Sequence, residues 1–277
     1  MLTVSIIGPG RVGGALALAL PRDQYSIERF VGTDGGTMPA VLCESFPATP
    51  FVEISKAGEI TSDIILITVP DSSIAEVAGQ ISRNIGTPTV ALHTSGALTS
   101  DVLVPLKESG SSIGSVHPLV SISNPELGPE RMSGAYFCVE GDAAAVAAAE
   151  NIVKGVGGVP IDIDTANKPL YHASAVMACG HFVALFDTAA ELMAKAAGDR
   201  EKAVSILLPL VDSTLANLRE QSASEALTGT FARTDIVTFG SHLEALRRVG
   251  DRNAVEIYLD LGLRSLELAL ENGADAE

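Results

Sequence analysis

Thr3-Val4-Ser5-Ile6-Ile7-Gly8-Pro9-Gly10-Arg11-Val12-Gly13-Gly14-Ala15-Leu16-Ala17-Leu18-Ala19-Leu20-Pro21 decides the fold. An apolar run, a glycine-rich turn and an Ala/Leu stretch closed by proline read as strand, turn and helix. The turn has the spacing G-x-G-x-x-G, which at a strand-to-helix junction reads as a dinucleotide-binding loop. Gly8 allows the tight turn, Gly10 the close approach of a pyrophosphate, and Gly13 the packing of helix on strand. Pro9, Arg11 and Val12 complete the loop, with Arg11 placed to touch the pyrophosphate beside the positive helix end. The plainer alternative is a glycine-rich loop that opens an ordinary α/β domain.

Beyond this unit, apolar runs alternate with helical stretches. Strands are expected at 26–31, 64–69, 89–92, 113–116, 135–139 and 159–163, with helices at 71–81, near 100–107 and from 142 to about 156. Strand–helix alternation of this kind argues for a doubly wound parallel sheet. Past Asp164 the pattern becomes helical, with segments at about 167–196, 199–221, 234–249 and 252–272. The expected organisation is α/β: a dinucleotide-binding Rossmann domain over 1–165 and an all-helical substrate or dimerisation domain over 166–277.

The chain has 277 residues, 34 acidic against 18 basic, for a formal charge of −16. Such acidity argues against nucleic acid or an anionic membrane as a partner. Three scattered cysteines without C-x-x-C imply neither a disulfide framework nor a zinc knuckle, which fits a reducing cytoplasm. No signal peptide is expected, nor a run of about 18 uninterrupted apolar residues. No metal-ligand spacing and no G-x-S-x-G elbow appears.

At the end of the second strand, Asp34 suits the ribose hydroxyls of NAD. Thr33 and the neighbouring glycines could instead form an anion nest for the 2′-phosphate of NADP, helped by Arg11 or Arg29. A turn role for Asp34 stays equally open, and so does the cofactor preference. Ligands of open α/β sheets gather at the carboxyl ends of the strands. Those ends run into Val69-Pro70-Asp71, expected beneath the nicotinamide ribose, into His93-Thr94-Ser95-Gly96, and into His117-Pro118. At the domain junction Lys168 and His172 stand four apart, so a helix puts them on one face. A Lys–His pair there suggests a proton donor or oxyanion stabiliser; the alternative is a snorkelling lysine beside a structural histidine. Arg233, in a polar interruption between helices, is a candidate bidentate clamp for a substrate carboxylate, or else a partner for Asp235.

Taken in order, G-P-G-R-V-G, V-P-D, H-T-S-G, H-P-L, K-P-L-Y-H-A and L-T-G-x-x-A-R-x-D resemble a family. It comprises bacterial Rossmann-like proteins provisionally assigned as NADP-dependent oxidoreductases, with a helical C-terminal domain of unassigned function. Within the wider 6-phosphogluconate dehydrogenase-like group, Lys168-x-x-x-His172 is similar to the K-x-x-x-N of hydroxyacid dehydrogenases and ketopantoate reductases. The resemblance implies general acid/base work for Lys168, with His172 replacing the asparagine. His117-Pro118 is similar to the H-P of prephenate dehydrogenases, whose histidine bonds the reacting hydroxyl.

These readings converge on an NAD(P)-dependent oxidoreductase acting on a small carbonyl or hydroxy compound, a carboxylate by preference. Lys168 exchanges the proton, His172 tunes it, His93, Ser95 and His117 orient the substrate, and Arg233 holds its carboxylate. A homodimer through the helical domain is expected. The rival is a non-catalytic dinucleotide-binding sensor or dimeric scaffold.

Overall fold

The computed structural model describes residues 1–275. Eight strands form one sheet: β1 Leu2–Ile7, β2 Tyr25–Gly32, β3 Phe51–Glu53, β4 Ile64–Ile67, β5 Val90–His93, β6 Ser112–Pro118, β7 Tyr136–Gly141 and β8 Val159–Ile161. Their order is β3-β2-β1-β4-β5-β6-β7-β8. Six pairings are parallel, but β7 runs antiparallel to β6 and β8 then follows β7. The expected all-parallel sheet thus gains a reversed edge. The expected strand list also lacks β3, whose three residues are too few to show a period.

The sheet is buried on both faces, as its continuous apolar strands require. On one face Val4, Ile6, Leu66, Leu92 and Val116 pack with Leu16 of the helix Arg11–Ala19 and with Ala145, Ala149 and Ile152 of the helix Ala143–Gly155. On the other, Ile7, Ile65, Ile67, Ala91 and Ile113 pack with Ile74, Ala78 and Ile81 of the helix Asp71–Ile81 and with Leu103 and Leu106. The strand order reverses direction between β1 and β4, which opens the switch point where such sheets bind ligands.

One register row runs through Ile7, Ile67, His93, Ser115 and Glu140. Paired residues in a row point to the same face. The row begins aliphatic and turns polar at β5, at the carboxyl edge of the parallel strands.

The chain divides into two compact units, Met1–Cys179 and Gly180–Glu277. The first extends past the 165/166 boundary suggested by the change of pattern. The reason is Lys168, whose side chain is fixed to β6 and β7, so the helix Lys168–Val176 belongs to the sheet. A π turn, Met177–His181, follows it. Cys179 and His181, within this turn, are both exposed.

The second unit consists of the helices Phe182–Ala197, Arg200–Glu220, Ala223–Ala226, Ile236–Val249 and Arg252–Glu271. Its starts are capped by Asp199, Ser222, Asp235 and Asp251, each accepting a backbone N–H of its helix's first turn. Left-handed Gly198 and Gly250 end two of its helices. One helical run, Thr165–Ala197, is by length and composition long and apolar enough to cross a membrane, although it holds no uninterrupted apolar run of that length. Its first turn is held in the sheet unit by the buried Lys168, and most of its apolar window is exposed.

Candidate active site

The glycine turn has the geometry its sequence implies. Gly8 adopts φ +90°, where an L side chain is strained, and a Cβ there would strike Val69. A Cβ on Gly13 would collide with the Thr68 hydroxyl and with the Gly8 carbonyl, 2.6 Å away. That close packing is held by Thr68, whose hydroxyl donates to Ile7 O at 3.1 Å and Gly8 O at 2.6 Å. A Cβ on Gly10, in contrast, would enter open space. Gly10 caps the helix Arg11–Ala19 with no side chain and no acidic residue in the first turn. The N–H groups of Arg11, Val12 and Gly13 precede the bond from Gly14 N–H to Gly10 O, 2.8 Å, and have no partner among the described residues, as the first groups of a helix do. Pro9 is buried, Val12 half-buried, and Arg11 exposed with no ion pair among the described residues. Open N–H groups, an open Cα and a free guanidinium fit a pyrophosphate.

The loop after β2 is exposed at Thr33 and Asp34. Asp34 Oδ1 accepts Ser55 N–H at 3.2 Å, and Glu53 Oε1 accepts Gly35 N–H at 3.0 Å, so the loop is tied to the end of β3. Arg29 is not available to a 2′-phosphate, contrary to expectation. It donates to the carbonyls of Ala57 and Glu59, at 3.0 Å each, and pairs with Glu28.

Val69 packs against Gly8, Pro70 is exposed, and Asp71 opens the helix Asp71–Ile81. Asp71 Oδ2 accepts the Ser95 hydroxyl at 2.7 Å. The same Ser95 oxygen accepts the N–H groups of Ala97 and Leu98, and Ser95 is 4% exposed. Ser95 thus staples the H-T-S-G turn and has nothing left for a substrate, a correction to its expected role. His93 is corrected in the same way. It is 0% exposed, its Nδ1 accepts Ser95 N–H at 3.1 Å, and its Nε2 lies 3.1 Å from Thr99 O. An amide can only donate, so Nδ1 carries the lone pair and Nε2 the hydrogen. Burial, followed by the charge of Lys168, brings His93 down to about 4, so this neutral tautomer persists.

Lys168 is the largest departure from expectation. It is 0% exposed, and its Nζ donates to Ser115 Oγ at 2.7 Å and to Glu140 Oε1 at 2.9 Å. Glu140 in turn accepts the Ser115 hydroxyl at 2.6 Å, Ser100 N–H at 2.9 Å and the Ser100 hydroxyl at 2.8 Å. Burial pushes the Glu140 carboxyl up, but the hydrogen bonds from Ser115, Lys168 and Ser100 and the Lys168 charge outweigh it and hold it below its ordinary value. Lys168 is therefore the floor of the site, committed to an ion pair, and not a proton donor presented to solvent. The strand expected at 135–139 stops one residue short of Glu140. A carboxylate inside an apolar strand is itself a signal, since a buried charge requires a partner.

His117 and His172 sit above this floor. His117 Nδ1 is 2.8 Å from the Tyr171 hydroxyl, and the His117 and His172 rings meet edge to face with centroids 5.6 Å apart. Gly96 seats them: a Cβ there would stand 2.5 Å from His172 Nδ1 and 2.8 Å from His117 Nε2. His172 Nδ1 is buried with no hydrogen-bond partner, and His117 Nε2 has none among the described residues. Burial, then His172 and Lys168, brings His117 down to about 4. Two imidazole nitrogens without partners thus crowd one point at the strand ends. Among the described residues no three His, Cys, Asp or Glu side chains gather as metal ligands.

Arg233 belongs to the second unit. It is exposed and has no ion pair among the described residues, Asp235 being spent on Thr238. The next residue, Thr234, holds φ +49°, the one positive φ outside glycine among the described residues.

Residues 1–118 match the Rossmann-like domain, and residues 135–265 match a domain of unknown function, DUF2520. No curated protein matches the chain. Among solved structures, a provisionally assigned NADP oxidoreductase from Bacteroides fragilis is 21% identical, with TM-score 0.76 over 96% of this chain and 98% of that one. A Plasmodium falciparum pyrroline carboxylate reductase solved with NADP is 13% identical, with TM-score 0.61 over 97% and 98%. A reductive aminase from Aspergillus terreus in complex with NADPH and ethyl levulinate is 14% identical, with TM-score 0.62 over 99% and 95%. At such identities the likeness establishes the fold.

Proposed function

We propose that this chain, a Rossmann-like domain joined to a DUF2520 domain, is an NAD(P)-dependent oxidoreductase acting on a small carbonyl or hydroxy compound, a carboxylate by preference. One observation carries the reading. A helix N-terminus with open N–H groups and a pair of unpartnered imidazole nitrogens share the carboxyl edge of one sheet. The first suits a phosphate, the second a reacting oxygen, and a dinucleotide cofactor needs both neighbours. Fold relatives solved with NADP and NADPH support it.

When bound, nicotinamide supplies or accepts the hydride. The turn Gly8–Gly13 and Arg11 hold the pyrophosphate, Thr33 or Asp34 reads the adenosine ribose, and Val69, Pro70 and Asp71 border the nicotinamide side. His117 Nε2 and His172 Nδ1 hold the substrate oxygen. Lys168, Glu140, Ser115, Ser95 and His93 fix them from below as positioning residues. The second unit exposes large apolar side chains, with Ile236 at 78% and Val237 at 77%, as a homodimer interface would require.

Titration of the protein with NADPH and NADH, followed by nicotinamide fluorescence, tests the reading. Saturable micromolar binding of either form is expected, and the preferred form identifies the adenosine-side reader. Failure of both moves the weight to a sensor or scaffold. Light scattering tests the dimer.

A further inference from the structure

Tyr171 precedes His172 in the helix Lys168–Val176, and its ring meets that of His117 edge to face with centroids 5.5 Å apart. Its hydroxyl has one hydrogen-bond partner among the described residues, His117 Nδ1 at 2.8 Å. Burial raises the Tyr171 phenol above its ordinary value, so the hydroxyl keeps its hydrogen at neutral pH. His117 keeps a single ring hydrogen, since burial, His172, Lys168 and His93 all lower it against an opposing pull from Asp71.

Two arrangements of these hydrogens are open. In the first, the phenol donates to Nδ1 and the ring hydrogen sits on Nε2. In the second, Nδ1–H donates to the phenol oxygen, the hydroxyl hydrogen has no acceptor, and Nε2 carries a bare lone pair. A phenol is a better donor than a neutral imidazole N–H, and an imidazole lone pair is a better acceptor than a phenol oxygen. The first arrangement uses both preferences and strands no hydroxyl hydrogen.

We propose that Tyr171 is a positioning residue that locks His117 in the Nε2–H tautomer, so that His117 meets the substrate as a neutral hydrogen-bond donor. Nε2 is the nitrogen turned toward Gly96, beside the unpartnered Nδ1 of His172. A donor fixed at that point serves a substrate oxygen as its acceptor, the carbonyl of an oxo acid and the hydroxyl of the matching hydroxy acid alike. Its hydrogen bond strengthens as negative charge builds on that oxygen. The substrate half of this inference rests on the oxidoreductase reading, while the tautomer does not.

Nitrogen-15 NMR of the histidine rings in the free protein tests the tautomer directly, with His117→Gln to assign the signals. Wild type is expected to carry the His117 hydrogen on Nε2. In Tyr171→Phe the Nε2–H to Nδ1–H ratio is expected to fall about fivefold, the worth of one ordinary hydrogen bond. A hydrogen on Nδ1 in wild type overturns the proposal, as does an unchanged ratio in Tyr171→Phe. The wild-type spectrum decides even if the variant folds poorly. Pyruvate then probes the donor: it is expected to shift the Nε2 signal saturably, and no response overturns the substrate half. NADPH binding is scored separately: its loss with Nε2–H intact removes the oxidoreductase reading and leaves the Tyr171 lock standing.

Discussion

The floor and the rim of the site are built from the same residue types and differ in one respect. In the floor, His93, Ser95, Ser100, Ser115, Glu140 and Lys168 have partners from within the sheet unit, down to both nitrogens of His93. In the rim, one nitrogen of His117 and one of His172 have none. Buried polar groups are almost always satisfied, so the closely linked floor reads as structure, and the buried, unpartnered His172 Nδ1 reads as a place for something from outside. By this measure three of the expected catalytic residues (Lys168, His93 and Ser95) are tied into the scaffold, and two, His117 and His172, keep a ring nitrogen without a partner among the described residues.

The sharpest way to break the comparison is to damage each layer and ask what is lost. Lys168→Met leaves the Glu140 carboxylate buried without its cation, and a loss of about 3–5 kcal/mol in unfolding free energy is expected from urea denaturation. The double variant Lys168→Met/Glu140→Gln should recover much of it. A single variant as stable as wild type would falsify the assignment of Lys168 to the floor. His117→Ala should do the reverse, costing about 1–2 kcal/mol for the stranded Tyr171 hydroxyl while turnover of an identified substrate drops by about 10²-fold or more. If the urea midpoint falls as far as in the Lys168 variant, the rim is no different from the floor.

Acid should also distinguish the layers. His93 and His117 are held near 4 against an ordinary 6.5, so the unfolded chain binds more protons than the folded one between these values. Stability present above pH 6.5 is then lost as the pH falls toward 4, by about 3 kcal/mol for His93 alone. Glu140, held low, adds its loss only at more acid pH. Thermal melts in which His93→Gln flattens this slope would support the assignment; an unaltered slope would remove it. The smallest expected effect is that of Arg11→Ala, about a tenfold loss of NADPH affinity with unchanged melting, read from the same fluorescence titration.

Much of this molecule was legible before any coordinates. The glycine turn follows from its spacing, and seven of the eight strands and the four long helical stretches follow from periodicity. What escaped reading has a common cause, because it depends on pairings distant in sequence. Glu140 meets Lys168 across 28 positions, Ser115 meets it across 53, and the Tyr171–His117 bond spans 54. The i, i+4 relation of Lys168 and His172 was correctly placed on one helix. It said nothing of how deep that face would sink, and depth turned the lysine from reagent to support. The reversal of β7 was equally hidden, since a strand's residues carry no record of its direction.

The register row from Ile7 to Glu140 has a consequence of a different kind: it is a gauge. The glycine turn leaves β1 and His117 stands on β6, three strand intervals away across β4 and β5. At about 4.8 Å per interval, the two are roughly 14 Å apart along the sheet edge. Hydrogen bonds between strands set that length and no loop can adjust it. Any molecule that touches both ends must be extended, and compact phosphates or free oxo acids can reach only one.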